Sequence, residues 1–239
     1  MQRPVRVLID GDPLVYSAGF SAQKTEADGT ITAPIAHSLH ALDLVLGSQF
    51  QESRSLLSRN GCSVLNGPEI YLTGPNNFRD KLATIRKYKG NRDPLHKPEH
   101  YQALRDRLVN TWGAKVIVGH EADDELAIQQ WNAPPESTLI VSPDKDLLMV
   151  PGWHYNPQKK VAHLVSEETA CRNFYTQLLS GDPVDNVGGC YGVGKVKARA
   201  IMRRVSAITR DLEIALYCIV LNWYTVSKGR WGTKTKYNH

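Results

Sequence analysis

Short apolar runs, each ending in acidic residues, punctuate this chain and leave few folds open. Val-Leu-Ile leads into Asp10 and Asp12, Val-Ile-Val into Glu121, Asp123 and Asp124, and Leu-Ile-Val into Asp144 and Asp146. Unbroken apolar runs of this length read as strands buried on both faces. Between them lie stretches with helical spacing. Leu14 to Phe20 begins one. His37 to Ser58 carries Leu39, Leu42, Leu46, Phe50 and Leu57 on a broad apolar stripe, and Asn60-Gly61 stops it. Glu99 to Thr111 and Glu121 to Trp131 are two more, with Gly113 as the stop of the former. Further strands are expected at Glu69 to Thr73, Lys115 to Val118 and Thr138 to Val141. A short helix is expected from Asp146 to Val150, then a hairpin-like stretch to Val165. Alternating strands and helices imply an α/β fold, a mostly parallel sheet with helices on both faces.

From Ser166 the pattern turns helical. The expected organisation is therefore a domain over 1–165 and a helical subdomain over 166–239. Phe78 to Pro98 is polar, basic and poorly periodic, and reads as a long loop or arch extending to about residue 110. No apolar run approaches the roughly 20 residues of a membrane span. Met1-Gln2-Arg3-Pro4 leads directly into a strand, so no signal peptide is expected. Cys62, Cys171, Cys190 and Cys218 show no CxxC spacing. That argues against a zinc site and suits a reducing cytoplasm.

Charge narrows the function. The 239 residues carry a formal net charge of +5, which favours a polyanionic partner. Arg79, Lys81, Arg86, Lys87, Lys89, Arg92, Lys97, Arg105 and Arg107 are concentrated in one stretch, and the tail from Lys228 to Lys236 is also basic. Against this background the acids stand out. Ligands of open α/β sheets bind beyond the carboxyl ends of the strands, so Asp10, Glu121 and Asp144 should face one crevice. Asp124 lies three residues after Glu121 on the same helix face. Asp123 is near the helix start, and Asp144 and Asp146 can share one side of an extended loop. Close carboxylates repel unless a cation intervenes or their pKa values rise. Mg²⁺ and Mn²⁺ prefer oxygen ligands of this kind, and two such ions about 4 Å apart can promote phosphodiester hydrolysis. Asp12, before a proline, reads as a cap or turn residue. His120, beside Glu121, reads as an incidental loop histidine.

A second motif runs from Gly181 to Ala198. Asp182 and Asp185 precede Gly192-Val193-Gly194, which is followed by Lys195, Lys197 and Arg199. A glycine turn at a helix N-terminus offers backbone N–H groups to a DNA phosphate, and the following cations add attraction without reading sequence.

Together these motifs resemble the bacteriophage and bacterial branch of the flap endonuclease family, the structure-specific 5′-nucleases, and most of all a phage 5′-3′ exonuclease. The carrying segments are Val7 to Gly11, Tyr88-Lys89-Gly90-Asn91-Arg92, Glu121 to Asp124, Ser142-Pro143-Asp144-Lys145-Asp146 and Gly181 to Lys195. The resemblance implies a PIN-like nuclease domain with a helix–three-turn–helix DNA clamp. It implies Mg²⁺, with Mn²⁺ as a substitute, as two ions, and K⁺ at the hairpin turn. Asp10, Glu121, Asp123 and Asp124 would build one metal site, and Asp144, Asp146, Asp182 and Asp185 would build or support the second. Lys89 and Arg92 would contact the scissile phosphate. Tyr88 would either stack on a terminal base or anchor the core. Gly192, Gly194, Lys195, Lys197 and Arg199 would bind duplex. The implied partners are DNA with 5′ ends, flaps or nicks, and RNA–DNA hybrids, acted on by a monomer in the cytoplasm (of the host, for a phage protein), with no membrane.

One departure stands against the resemblance. After the strand ending at Thr73 the family places an aspartate, and here Gly74 is nearest that position, ahead of Phe78-Arg79. A structure-specific DNA-binding protein with an impaired metal site is therefore an alternative. A PIN-type ribonuclease acting on single-stranded RNA is another.

Overall fold

A computed structural model describes residues 3–82, 88–90, 97–204 and 212–231. The chain divides into two compact units. One comprises Met1–Leu82 and Pro94–Val165, the other Ala83–Asp93 and Ser166–His239.

The first unit runs β1 (Arg3–Asp10), α1 (Gly11–Ser21), β2 (Lys24–Thr25), β3 (Ile31–Thr32), α2 (Ile35–Arg59), β4 (Cys62–Val64), β5 (Glu69–Thr73), α3 (Arg79–Leu82), α4 (Tyr101–Trp112), β6 (Lys115–Ile117), α5 (Ala122–Trp131), β7 (Thr138–Val141), a 3-10 turn (Asp146–Met149), β8 (Gly152–Asn156) and β9 (Val161–Val165). The sheet order is β6-β5-β1-β7-β8-β9, with β4 also paired to β1. Every pairing in this sheet is parallel except β8 with β9, and β2 pairs antiparallel with β3 apart from it. β1 is central because Val5, Val7, Leu8 and Ile9 are all inaccessible to solvent. Alternate residues serve opposite faces. Val7 and Ile9 join Leu14, Leu42, Leu46, Leu104 and Leu108, from α1, α2 and α4. Leu8 joins Tyr71, Leu126 and Ile140 beneath α5. These two apolar layers fix the register, since a slip of one residue would exchange them.

The second unit contains α6 (Glu167–Ser180), the short pair β10 (Gly181–Asp182) and β11 (Val187–Gly188), α7 (Lys195–Arg203) and α8 (Leu212–Trp231). Its own core is formed by Tyr175, Leu179, Cys190, Val193, Ala198, Met202, Leu216 and Val220. Among the described residues no helix is long and apolar enough to cross a membrane.

Two local expectations are corrected. β4 and the β2–β3 hairpin were not anticipated. The loop carrying Asp144 and Asp146 is not extended: Asp144 Oδ1 accepts the N–H of Asp146 at 2.8 Å, and Asp146 opens the 3-10 turn. That bond curls the backbone between the two acids.

Candidate active site

The C-terminal ends of the parallel strands carry the acids of the first unit. Asp10, the last residue of β1, is only 7% exposed. Its Oδ2 accepts from Ser142 Oγ at 2.8 Å, and the same hydroxyl oxygen accepts the N–H of Asp144 at 3.1 Å. Ser142 thus links the end of β1 to the segment after β7. Burial pushes the Asp10 carboxyl up to about 8, and the charges of Asp12, Asp123 and Asp144 push the same way. Asp123 is raised to about 6 by burial and by Glu121 and Asp124.

Glu121 is the N-cap of α5 and forms a capping box with Asp124. Acids concentrate here because the first turn of a helix leaves N–H groups unpaired and carries a positive partial charge. The two carboxylates also share one cation. Arg79 Nη1 and Nη2 each lie 2.5 Å from an Asp124 oxygen, and Nη1 lies 3.3 Å from Glu121 Oε2. Asn77 Nδ2 donates to Glu121 Oε1 at 3.1 Å, while its Oδ1 accepts the N–H of Arg79. Sequence reasoning placed Arg79 in a basic run and in the Phe78-Arg79 pair, without a partner. Its fork geometry, which suits carboxylates, is visible only once α3 and α5 are brought together.

Gly74 follows β5 and hydrogen-bonds through its N–H to the carbonyl of Ile117 at 2.7 Å. A Cβ there would lie 2.3 Å from that oxygen. The expected strand-end acid has no room, because this position is used to dock β5 on β6. Asp12 is engaged in its own contacts, accepting from Thr73 N–H at 3.0 Å and Arg105 Nη1 at 2.9 Å. Asp146 pairs with Lys145 Nζ at 2.5 Å. His120 pairs with Glu125 at 2.9 Å.

Among the described residues no three His, Cys, Asp or Glu side chains are drawn together closely enough to hold a metal ion. The donor chemistry nevertheless suits a hard divalent cation. The Asp10 carboxyl, raised chiefly by burial and further by the charges of Asp12, Asp123 and Asp144, offers oxygen donors whose repulsion such an ion would relieve.

In the second unit, Asp182 is 5% exposed and is engaged within its own turn, accepting from Gln177 Nε2 at 2.9 Å and Val184 N–H at 2.8 Å. Asp185 Oδ2 accepts from Tyr88 Oη at 3.1 Å, and its carbonyl accepts the N–H of Lys89 at 3.2 Å. Lys89 Nζ lies 4.8 Å from the centre of the Tyr88 ring. The tethered hydroxyl gives Tyr88 an anchoring contact. Arg92 lies outside the described residues.

At the glycine turn Gly192 has φ 69°, and Gly194, in extended conformation, caps α7. Val193 is buried, while Lys195 and Arg199 are exposed. Lys197 folds back, donating to the Gly192 carbonyl at 3.2 Å with its Nζ 4.8 Å from the Trp223 ring centre.

No protein-family model matches the chain, and no curated protein matches it by sequence. Solved structures do match. A structure of bacteriophage T5 5′-exonuclease with divalent metal ions (zinc) bound has a TM-score of 0.54 and 16% identity, covering 94% of this chain and 91% of that one. A bacteriophage T5 flap endonuclease complex with DNA and metal ions has a TM-score of 0.55 and 16% identity over the same shares. A further T5 5′-exonuclease structure, of a mutant, has a TM-score of 0.54 and 14% identity. With its mostly parallel sheet flanked by helices, this chain has the PIN-like, flap-endonuclease-like fold of those phage nucleases.

Proposed function

We propose that this protein is a divalent-metal-dependent 5′-3′ exonuclease or flap endonuclease, hydrolysing DNA phosphodiesters near 5′ ends or branch junctions. The observation that carries the reading is the buried Asp10 carboxyl at the end of the central strand, raised to about 8 with Asp12, Asp123 and Asp144 contributing. Burial and nearby acids both disfavour the charged form of such a carboxyl, and a bound cation would offset that cost. The fold it shares with phage nucleases supports the same reading.

In this reading Asp10, Glu121, Asp123 and Asp124 would hold one Mg²⁺, or Mn²⁺ in its place, and Asp144, Asp146, Asp182 and Asp185 would build or support the site of a second. When bound, the metal supplies a water of lowered pKa and charge neutralisation at the phosphate. The residues do the remaining work. Ser142 holds the Asp10 carboxylate and the Asp144 backbone in one arrangement. Arg79 and Asn77 fix Glu121 and Asp124. Lys89 and Arg92 offset charge that develops on the scissile phosphate. Gly192 and Gly194 shape the turn, and Lys195, Lys197 and Arg199 hold duplex phosphates, with K⁺ at that turn. The 1–165 portion is the nuclease domain and 166–239 the duplex clamp. The substrates are nicked or flapped DNA and RNA–DNA hybrids, and the protein acts as a monomer in the cytoplasm.

Digestion of 5′-labelled flap and nicked duplexes with and without EDTA tests this. Metal-dependent products that vanish in Asp144→Asn are expected, and no product near neutral pH with Mg²⁺ or Mn²⁺ overturns the reading. Gly74 favours one other reading, a structure-specific DNA-binding protein with an impaired metal site. It predicts tight binding of branched duplex in Ca²⁺ without turnover in Mg²⁺.

A further inference from the structure

Three elements of the first unit meet at Thr73, the last residue of β5. Its N–H donates to Asp12 Oδ2 at 3.0 Å, and its carbonyl accepts from Arg105 Nη2 at 2.7 Å. Arg105 Nη1 donates to Asp12 Oδ1 at 2.9 Å. These bonds close a ring joining α1, α4 and β5. The Thr73 side chain then reaches a fourth element: its Oγ1 accepts the N–H of Ala122, the first residue of α5, at 3.0 Å. That N–H has no partner within its own helix. Thr73 therefore ties the acid-bearing end of α5 to a frame set by Asp12 and Arg105.

Arg105 is suited to fix that frame. Its side chain is 12% exposed, and its guanidinium carbon lies 5.6 Å from the Tyr101 ring centre. The planar fork reaches a carboxylate and a carbonyl at once in one orientation, which a lysine ammonium does not reproduce. The frame also sits where the strand end lacks its own acid. Gly74 docks β5 on β6, and Thr73, one residue earlier, docks β5 on α5.

We propose that Arg105 is a positioning residue for the acid cluster. Acting through Asp12 and Thr73, it sets the placement of Glu121 and Asp123 relative to Asp10. This rests on reading those acids as metal ligands. Arg105 touches neither metal nor substrate; its effect is on ligand placement, and so on metal affinity before any nucleic acid binds.

The test is Mn²⁺ titration of the full-length protein without nucleic acid, following free Mn²⁺ by electron paramagnetic resonance. Arg105→Lys and Thr73→Val are expected to weaken Mn²⁺ binding on the order of ten-fold, the loss typical when an outer partner of a ligand is removed. Thr73→Ser, which keeps the acceptor for the Ala122 N–H, is expected to bind like wild type. Leu108→Ala removes a buried core side chain from the same helix as Arg105. It is expected to lower thermal stability without changing Mn²⁺ affinity. Wild-type affinity in Arg105→Lys overturns the inference, wild-type affinity in Thr73→Val overturns its route through Thr73, and equal weakening in Leu108→Ala also overturns it. Absence of Mn²⁺ binding in wild type overturns the metal-site reading and the inference with it. Mn²⁺ binding without cleavage overturns only the nuclease activity.

Discussion

Placing at Gly74 the acid that the family resemblance leads one to expect after β5 should harm this protein. In Gly74→Asp the new Cβ would stand 2.3 Å from the Ile117 carbonyl oxygen, 3.0 Å from Val116 Cγ1 and 3.1 Å from the Ile117 carbonyl carbon. Two of these obstacles are backbone of the neighbouring strand, so no side-chain rotation relieves them. Overpacking of this kind costs about 1–3 kcal/mol. Parting the strands also loses the 2.7 Å bond from Gly74 N–H to Ile117 O, worth about 1 kcal/mol. The sum is about 2–4 kcal/mol, which for a chain of this size lowers the melting temperature by roughly 5–15 °C. Gly74→Ala isolates the steric part and should show most of the loss. Urea denaturation of both variants, with Mn²⁺ titration of Gly74→Asp, makes the measurement. If Gly74→Ala unfolds at the wild-type urea midpoint, the reasoning fails. It also fails if Gly74→Asp binds Mn²⁺ more tightly than wild type.

Further outcomes are expected. Asp10→Asn should reduce flap cleavage at least on the order of a hundredfold, the scale of losing one preorganised electrostatic group, while binding of flap DNA in Ca²⁺ persists; gel shift and digestion of one substrate separate the two effects. Lys195→Ala and Arg199→Ala should each weaken duplex binding and lower the slope of log affinity against log salt by about 1; an unchanged slope in both would remove α7 from the interface. His154 is buried and held down to about 4, chiefly by burial. Its unfolded form takes up a proton near pH 6.5 and its folded form does not until about pH 4. Its contribution is therefore complete above pH 6.5 and is lost as pH falls toward 4, a change on the order of 3 kcal/mol. His154→Gln should remove that acid sensitivity from urea unfolding curves measured between pH 4.5 and 7.5, and parallel curves for the two proteins would refute it.

What could be read from the sequence follows from how local each signal is. Glu69–Thr73 and Thr138–Val141 are strands with the expected limits, because each is a short apolar run bounded by turn residues. Gly113 ends α4 in the left-handed conformation that its position implied. β4 escaped notice. Cys62-Ser63-Val64 is three residues long, and it is a strand only because the first half of β1 lies alongside it. The acids of the first unit were legible as strand-end residues, since topology alone delivers those ends to one side of a sheet. Their partners were not. Arg79 with Asp124 and Arg105 with Asp12 are separated by 45 and 93 residues, and no periodicity records contacts at that range. The fate of Gly74 was invisible for the same reason: a missing side chain shows in the sequence, but the carbonyl that excludes it does not.

The link between Tyr88-Lys89 and Asp185 spans 97 residues, and that span orders events in time. The strands and acids of the first unit are complete once Val165 has been synthesised. The contacts that hold Lys89, proposed to meet the scissile phosphate, require the turn from Gly181 to Gly188 and so come later. Closing a loop of this length adds little more entropy than closing a shorter one, so the delay comes from synthesis and docking rather than from a prohibitive cost. A nascent or truncated chain ending near Val165 would thus carry the carboxylates of the first unit without a seated lysine and without Asp182 and Asp185. If the protein is the nuclease proposed above, the first cation site would form before Lys89 and the second site's Asp182 and Asp185 are in place, and cleavage would begin only as the last third of the chain folds.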